Sequence, residues 1–269
     1  MLPDLWPVSL IGVFGASIAN STGVGGGVVF VPVFNLLREG GLSALDPQTV
    51  VGVSFAIQCF GMSAGSLTWI ARLWRPAPMP GERAAREHLP LVVALTMTGA
   101  LPSLLLTQRF SLVDGQTALF LFKGFSIGLG LLLLAQLARR DAPDESSAGL
   151  TRMDRICVLG IGVLGGAATA LFSVGVGEML ALYLFLRRYP LELCVAPAVI
   201  CSALSVLAGV GHHIAAGQVV TEILVFAAPA VVLGGYVGRW IAQTLGAFRL
   251  KLFTGVWIVG SSLALVAMT

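Results

Sequence analysis

The run Ser21–Thr22–Gly23–Val24–Gly25–Gly26–Gly27 decides the fold. It sits at the centre of an apolar stretch from Val8 to Leu37. As one helix of roughly 30 residues, that stretch would be about 45 Å long, against a hydrocarbon core of about 30 Å. Glycine is the poorest helix former after proline, so three adjacent glycines predict a break. Two courses satisfy such a break: a broken helix that crosses the bilayer, or a hairpin of two half-helices that enters and leaves on one side.

Around this stretch the chain reads as membrane-embedded. Only 11% of its residues are charged and 57% are hydrophobic, with a mean hydropathy of +0.92; soluble domains carry about 25% charge. Further apolar runs at Pro47–Ala71, Leu89–Thr107, Gln116–Ala138, Val195–Ala215, Glu222–Ala242 and Phe248–Met268 are close to or above the roughly 20 residues that a spanning helix needs. The start of the chain, with Asp4 and two prolines, lacks the basic n-region of a cleavable signal. Cys59, Cys157, Cys194 and Cys201 lie in or beside apolar segments without CxxC spacing, so no metal site, cofactor or disulfide framework is expected. The net charge of +3 is too diffuse for nucleic acid.

A polar loop beginning at Arg139 divides the chain, and the halves resemble each other. Gly12, Gly15, Gly25 and Gly27 recur at an offset of 150 as Gly162, Gly165, Gly175 and Gly177. Gly65 then pairs with Gly209, Gly99 with Gly234, and Phe122–Gly124 with Phe253–Gly255, in the same order as the offset shrinks. The boundaries are an N-terminal repeat over 1–138, a linker over 139–155 and a C-terminal repeat over 156–269.

The positive-inside rule chooses between the two courses. If every segment crosses, the loops of the two sides hold eight and seven basic residues, with no bias. If Val8–Leu37 and Ile156–Leu186 are hairpins, the count becomes thirteen against two, with Lys123 alone inside a span. The hairpin reading makes the chain an all-α polytopic membrane protein of two inverted repeats, each a re-entrant helical hairpin plus three transmembrane helices. It puts the basic loops in the cytoplasm of a bacterial cell and both termini in the periplasm.

Inverted repeats with interrupted helices are a secondary-transporter architecture whose site lies near the midplane. Gly25, Gly26 and Gly27 precede a half-helix whose first amides face the membrane centre, an arrangement that favours anions. The second break, Ser173 to Glu178, includes Gly175 and Gly177 and presents the opposite half-helix to the same place. The same glycines would also suit close helix packing. Asn20, Ser21 and Thr22 at the first tip, Ser54 and Gln58 one turn apart on the next helix, and Ser202 in the second half are candidate donors, each equally compatible with helix–helix hydrogen bonding. Glu178, an acidic group near mid-membrane, is a candidate for coupling or gating. Lys123 is a basic candidate that either attracts the anion or pairs with Glu178. His212 and His213 read as interfacial residues.

The stretch Gly23 to Pro32 (GlyValGlyGlyGlyValValPheValPro), with Gly52 to Ser54 (GlyValSer), resembles the TauE/SafE sulfite exporter family, also called the 4-toluene sulfonate uptake permease family. The second motif departs from the family pattern: Ser173 and Val176 stand in place of glycines, and Leu182 where proline is common. The resemblance implies transport of sulfite, an organosulfonate or a related small anion across the inner membrane, with no enzyme activity. The bilayer and the anion are the expected partners; protons and a second copy of the chain stay open, and an anion channel or proton-coupled uptake permease is the alternative.

Overall fold

The computed structural model describes residues 6–39, 45–76, 79–110, 113–138 and 149–267. Among them the chain is helical, with no strand: α1 (Trp6–Thr22), α2 (Gly27–Glu39), α3 (Pro47–Leu73), α4 (Pro80–Phe110), α5 (Gly115–Ala138), α6 (Arg152–Phe172), α7 (Val176–Leu186), α8 (Leu191–Ala215) and α9 (Thr221–Ala267). A non-helical residue, Gly246 at φ 72°, divides α9 into two spans. Most of the linker expected over 139–155 lies outside the described residues, and its last residues already form the start of α6.

Both expected breaks are present, between α1 and α2 and between α6 and α7. Among the described residues seven helical stretches are long and apolar enough to cross a membrane, α6 among them; the helices after the two breaks are not. The 11 residues of α7 rise about 16 Å, half the thickness of the hydrocarbon core. The contacts of α6 and α7 make them a hairpin. Asp154, in the first turn of α6, accepts hydrogen bonds from Tyr183 Oη at 2.6 Å, Arg187 Nε at 2.8 Å and Tyr189 Oη at 2.9 Å, all at or beyond the end of α7. The Asp154 side chain is fully buried, and a buried carboxylate needs such partners.

The first hairpin opens on the other face. Ser9 Oγ, near the start of α1, donates to Phe226 O at the start of α9 (2.9 Å), and Asn35 near the end of α2 lines a small cavity with Pro47 at the start of α3. Gln218, just ahead of α9, reaches Gln48 on α3 at 3.5 Å, which places these starts together. One face therefore gathers Arg72, Arg187 and Arg239 with their partners Glu82, Asp154 and Gln243. The opposite face gathers His212, His213 and the ends of α2, α4 and α8.

The halves interleave. α4 of the first half packs along α6 and α8, and α9 of the second packs along α1 and α3; α3 also meets α8, and α5 meets α9. Small residues permit this. A Cβ on Gly99 would stand 2.6 Å from Leu159 O of α6, and one on Gly234 would press into Val13 O of α1. Two glycines matched by the sequence repeat thus do the same work in opposite halves. Large apolar side chains such as Phe14, Phe120 and Leu164 point outward, at 67%, 75% and 64% exposed, as a lipid-facing surface requires.

The helix ends depart from the apolar runs. α4 begins at Pro80, well before the run at Leu89, because Gly81–His88 offers good helix formers after a proline that suits a first turn. Its Glu82 is buried against Arg72 Nε and also accepts from the Met79 amide at 2.9 Å.

Candidate functional site

At both breaks the backbone turns through a left-handed residue. Gly23 has φ 76° and Ser173, 150 residues later, has φ 62°. Glycine adopts this conformation freely, whereas an L-residue there costs roughly 1–2 kcal/mol. Serine at 173 is therefore held by its surroundings. Gln58 Nε2 donates to Ser173 Oγ at 2.7 Å and lies 3.3 Å from Ser173 O and 3.1 Å from Ser54 Oγ. Gln58 ties α3 directly to the second tip.

The two tips abut. A Cβ on Gly27 would run into Ser173 O, and one on Gly177 would meet Ser202 Oγ and, at 2.9 Å, Gly23 O. A Cβ on Gly26 would stand 2.9 Å from Gln58 Cγ and from the Phe30 ring. The absence of side chains is what allows backbone to meet backbone here. Within tip one, Val28 N donates to Gly25 O and Phe30 N to Gly26 O. Among the described residues the Gly26 and Gly27 amides find no protein acceptor.

Tip two serves its own amides with side chains. Glu178 Oε2 accepts from Gly175 N at 2.8 Å, and Thr169 Oγ1 accepts from Val176 N at 3.2 Å. Glu178 Oε1 reaches across to tip one, where a Cβ on Gly25 would stand 2.8 Å away. Glu178 is 2% exposed, and this oxygen makes no regular hydrogen bond.

The structure thus brings together Gly25, Gly26, Gly27, Ser54, Gln58, Ser173, Gly175, Gly177, Glu178 and Ser202. Thr22 joins them at a small cavity beside Glu178, although its hydroxyl also bonds back to Ile18 O at 2.9 Å. Two residues of the first tip turn elsewhere. Asn20 donates to Ala16 O at 2.8 Å and Gly61 O at 3.2 Å and packs on Gly65, pinning α1 to α3; Ser21 donates to Ile18 O at 2.9 Å. Lys123 is buried on α5, at 9% exposed.

Space around the tips is unequal. On the histidine-bearing face a vestibule of about 250 Å³ leads inward, lined by Gln48, Thr107, Gln108, Leu171, His213 and Gln218 among others. It narrows at Val51, Ala118 and Leu171 to a void of about 10 Å³ beside Phe122 and Phe172, whose rings meet edge-on at 5.9 Å. On the arginine-rich side the cavity beside Glu178 is also only about 10 Å³, room for about one water.

The sequence reading missed the vestibule. His213 is not an interfacial side chain: it is 4% exposed, its ring lies 4.5 Å from that of Phe55, and its nitrogens lie 2.7 Å from Gln218 Oε1 and 3.4 Å from Gln108 Nε2. Its position before a helix end suggested an interface, but three further segments converge there. Gln108, within a span and one turn from Leu104, was the available signal.

In this polytopic helical protein the two helix breaks meet among buried residues. The sulfite exporter TauE/SafE family profile matches residues 8–265, nearly the whole chain. The chain belongs to that family of membrane transporters for sulfite and related sulfur anions. No curated protein and no solved structure matches it.

Proposed function

We propose that the chain is a secondary carrier that exports a small sulfur-containing anion, sulfite or an organosulfonate, across the bacterial inner membrane by alternating access. The observation that carries this reading is the meeting of the two tips at Gly27, Ser173 and Gln58, where Gly26 and Gly27 are buried and their amides are uncapped. Peptide N–H groups at a helix start replace the hydration of an anion without introducing a fixed charge. Ser54, Gln58, Ser173 and Ser202 supply hydroxyl and amide donors around it, and Lys123 supplies a distant attraction.

The two halves act as inverted repeats. Matching left-handed residues at Gly23 and Ser173, hairpins that open on opposite faces, and the exchanged packing of α4 on α6 and α9 on α1 support this. With the arginine-rich face in the cytoplasm, the 250 Å³ vestibule opens to the periplasm and the cytoplasmic route is closed, as in one end state of the cycle. An inside-negative potential favours an anion outside by about 2.3 kcal/mol per charge per 100 mV, so export of a monoanion needs no other driving force.

The test is flux in proteoliposomes with radiolabelled sulfite, small sulfonates and carboxylates under imposed potentials. Saturable, potential-driven movement of a sulfur anion with counterflow is expected, and Gly26→Leu should abolish it while the protein still folds and inserts. Flux that neither saturates nor shows counterflow would replace the carrier with a channel. Full activity of Gly26→Leu would remove the first tip from the site.

A further inference from the structure

The carboxylate of Glu178 lies where the cargo of the preceding section would bind. Its Oε2 takes the Gly175 amide at 2.8 Å, and its Oε1 lies against Gly25, so one side chain spans both tips. One half of a capping box explains Oε2, because Glu178 stands at the third helical position and takes the amide of Gly175, which has no side chain to return the bond. It does not explain Oε1, which points away from α7 into the opposite hairpin.

A second observation lies behind it. Thr22 of tip one, Leu133 of α5, Leu182 of α7, and Leu250 and Thr254 of α9 wall a cavity of about 10 Å³ that touches Glu178. Thr254 is 2% exposed and its hydroxyl has no partner. Two orphaned polar atoms, Glu178 Oε1 and Thr254 Oγ1, thus belong to residues lining one void of about one water's size. This void lies on the arginine-rich side, next to the start of the last span.

Among the described residues no second charge lines this cavity. Arg249, beside Leu250 on α9, is exposed and does not line the cavity, and other titratable side chains of the surrounding elements lie elsewhere. Asp154, Tyr183 and Arg187 form the cluster at the hairpin opening, and His213 belongs to the vestibule. Glu192 of α8 sits against Gly81, and Cys194 and Cys201 are the buried thiols of the same helix. Lys123 lies ten residues before Leu133 on α5, about 15 Å along the helix.

Resting on the proposed function, we infer that Glu178 is a tethered occupant of the anion site, and that cargo replaces it only as the carboxylate takes up a proton through the Thr22–Thr254 cavity. The ionised carboxylate holds the Gly175 amide and lies against Gly25, next in the chain to the Gly26 and Gly27 amides that a bound anion would take. Two negative charges at that separation in a medium of low dielectric repel strongly, and a proton removes one of them. No bond other than the carboxyl O–H forms or breaks. Anion binding therefore draws one proton, and anion release returns it.

Methanesulfonate is the suitable probe, because its charge does not change near neutral pH. Added to the purified full-length protein in weak buffer, it should cause uptake of one proton per chain. A protonated-carboxyl stretch should appear in the infrared difference spectrum. Apparent affinity should rise about tenfold per unit fall in pH above the carboxyl's titration point, as one-proton linkage requires. Glu178→Gln should bind methanesulfonate at every pH, with no proton uptake and no carboxyl band. Thr254→Val should slow proton uptake in stopped-flow without changing its extent. Proton-free binding by the native chain, or pH-dependent binding that survives in Glu178→Gln, overturns the inference and leaves the carrier reading standing. Tight binding that Gly26→Leu does not weaken overturns both.

Discussion

The two hairpin tips share a backbone and differ in what fills it. Tip one turns at Gly23 and then carries three glycines; Thr22 Oγ1 accepts from the Val24 amide at 3.3 Å, and the Gly26 and Gly27 amides have no side-chain cap. Tip two turns at Ser173 and covers its amides with Thr169 and Glu178. The same break thus leaves the Gly26 and Gly27 amides uncapped in one half and caps the Gly175 and Val176 amides in the other. Two sites of equal geometry need not be equally available to a ligand, and the difference lies in a few side chains rather than in the fold.

The sharpest way to break the comparison is to add one methyl group to each tip. Gly27→Ala drives its methyl into a backbone oxygen, Ser173 O, which cannot yield unless the tips separate; flux in proteoliposomes should be lost. Gly177→Ala meets chiefly the Ser202 hydroxyl, so flux should fall less and be partly restored by Ser202→Ala. Gly124→Ala, with nothing within 4 Å, should leave flux unchanged. Equal losses at positions 27 and 177, both insensitive to Ser202→Ala, would remove the distinction.

Asp154 tests the anchoring of the second hairpin. Asp154→Ala leaves the half-exposed Arg187 and two tyrosines without their acceptor; stranding buried hydrogen-bond donors costs about 1–3 kcal/mol. Thermal unfolding in detergent should show a clear fall in midpoint. A smaller effect is expected at Ser173. Ser173→Gly relieves the left-handed strain of about 1 kcal/mol but removes the acceptor of Gln58, so stability should change little while flux falls.

Asp46 provides the smallest test, at the edge of the first half. Burial raises its carboxyl pKa, but hydrogen bonds from Thr49 and the Gln48 amide outweigh that and hold it below the usual range. A depressed carboxyl contributes stability above its unfolded pKa and loses it as pH falls through the folded value. Asp46→Ala should cost about 1 kcal/mol at neutral pH, and the difference from the native chain should shrink in acid. A constant difference down to low pH would assign the effect to something other than the charge.

Much of this was legible in the chain. The breaks at Gly25–Gly27 and Ser173–Gly177, the spans and the pairing of Gly99 with Gly234 follow from hydrophobic length, glycine placement and charge asymmetry, all local or periodic properties. The side-chain directions were not. Asn20 was expected in the pocket, yet it turns to Gly61 and Gly65, because a residue one turn before the break belongs to the packing of α1 on α3. The Asp154 cluster and the vestibule residues Gln108 and His213 were unreadable for a related reason. Their partners are 29 to 35 residues away in the first case and about 100 in the second, and no periodicity encodes such pairings.

The exchange of helices between halves has a consequence for how the molecule can be cut. α1 rests on α9 and α6 on α4, so the glycine-lined surface of each hairpin is covered by a helix from the other half. A fragment ending within 139–148 would leave the backbone oxygens of α1 facing lipid with no neighbour of matching shape. Neither half is a folding unit. Any unit that moves as one body would be stitched from both ends of the chain.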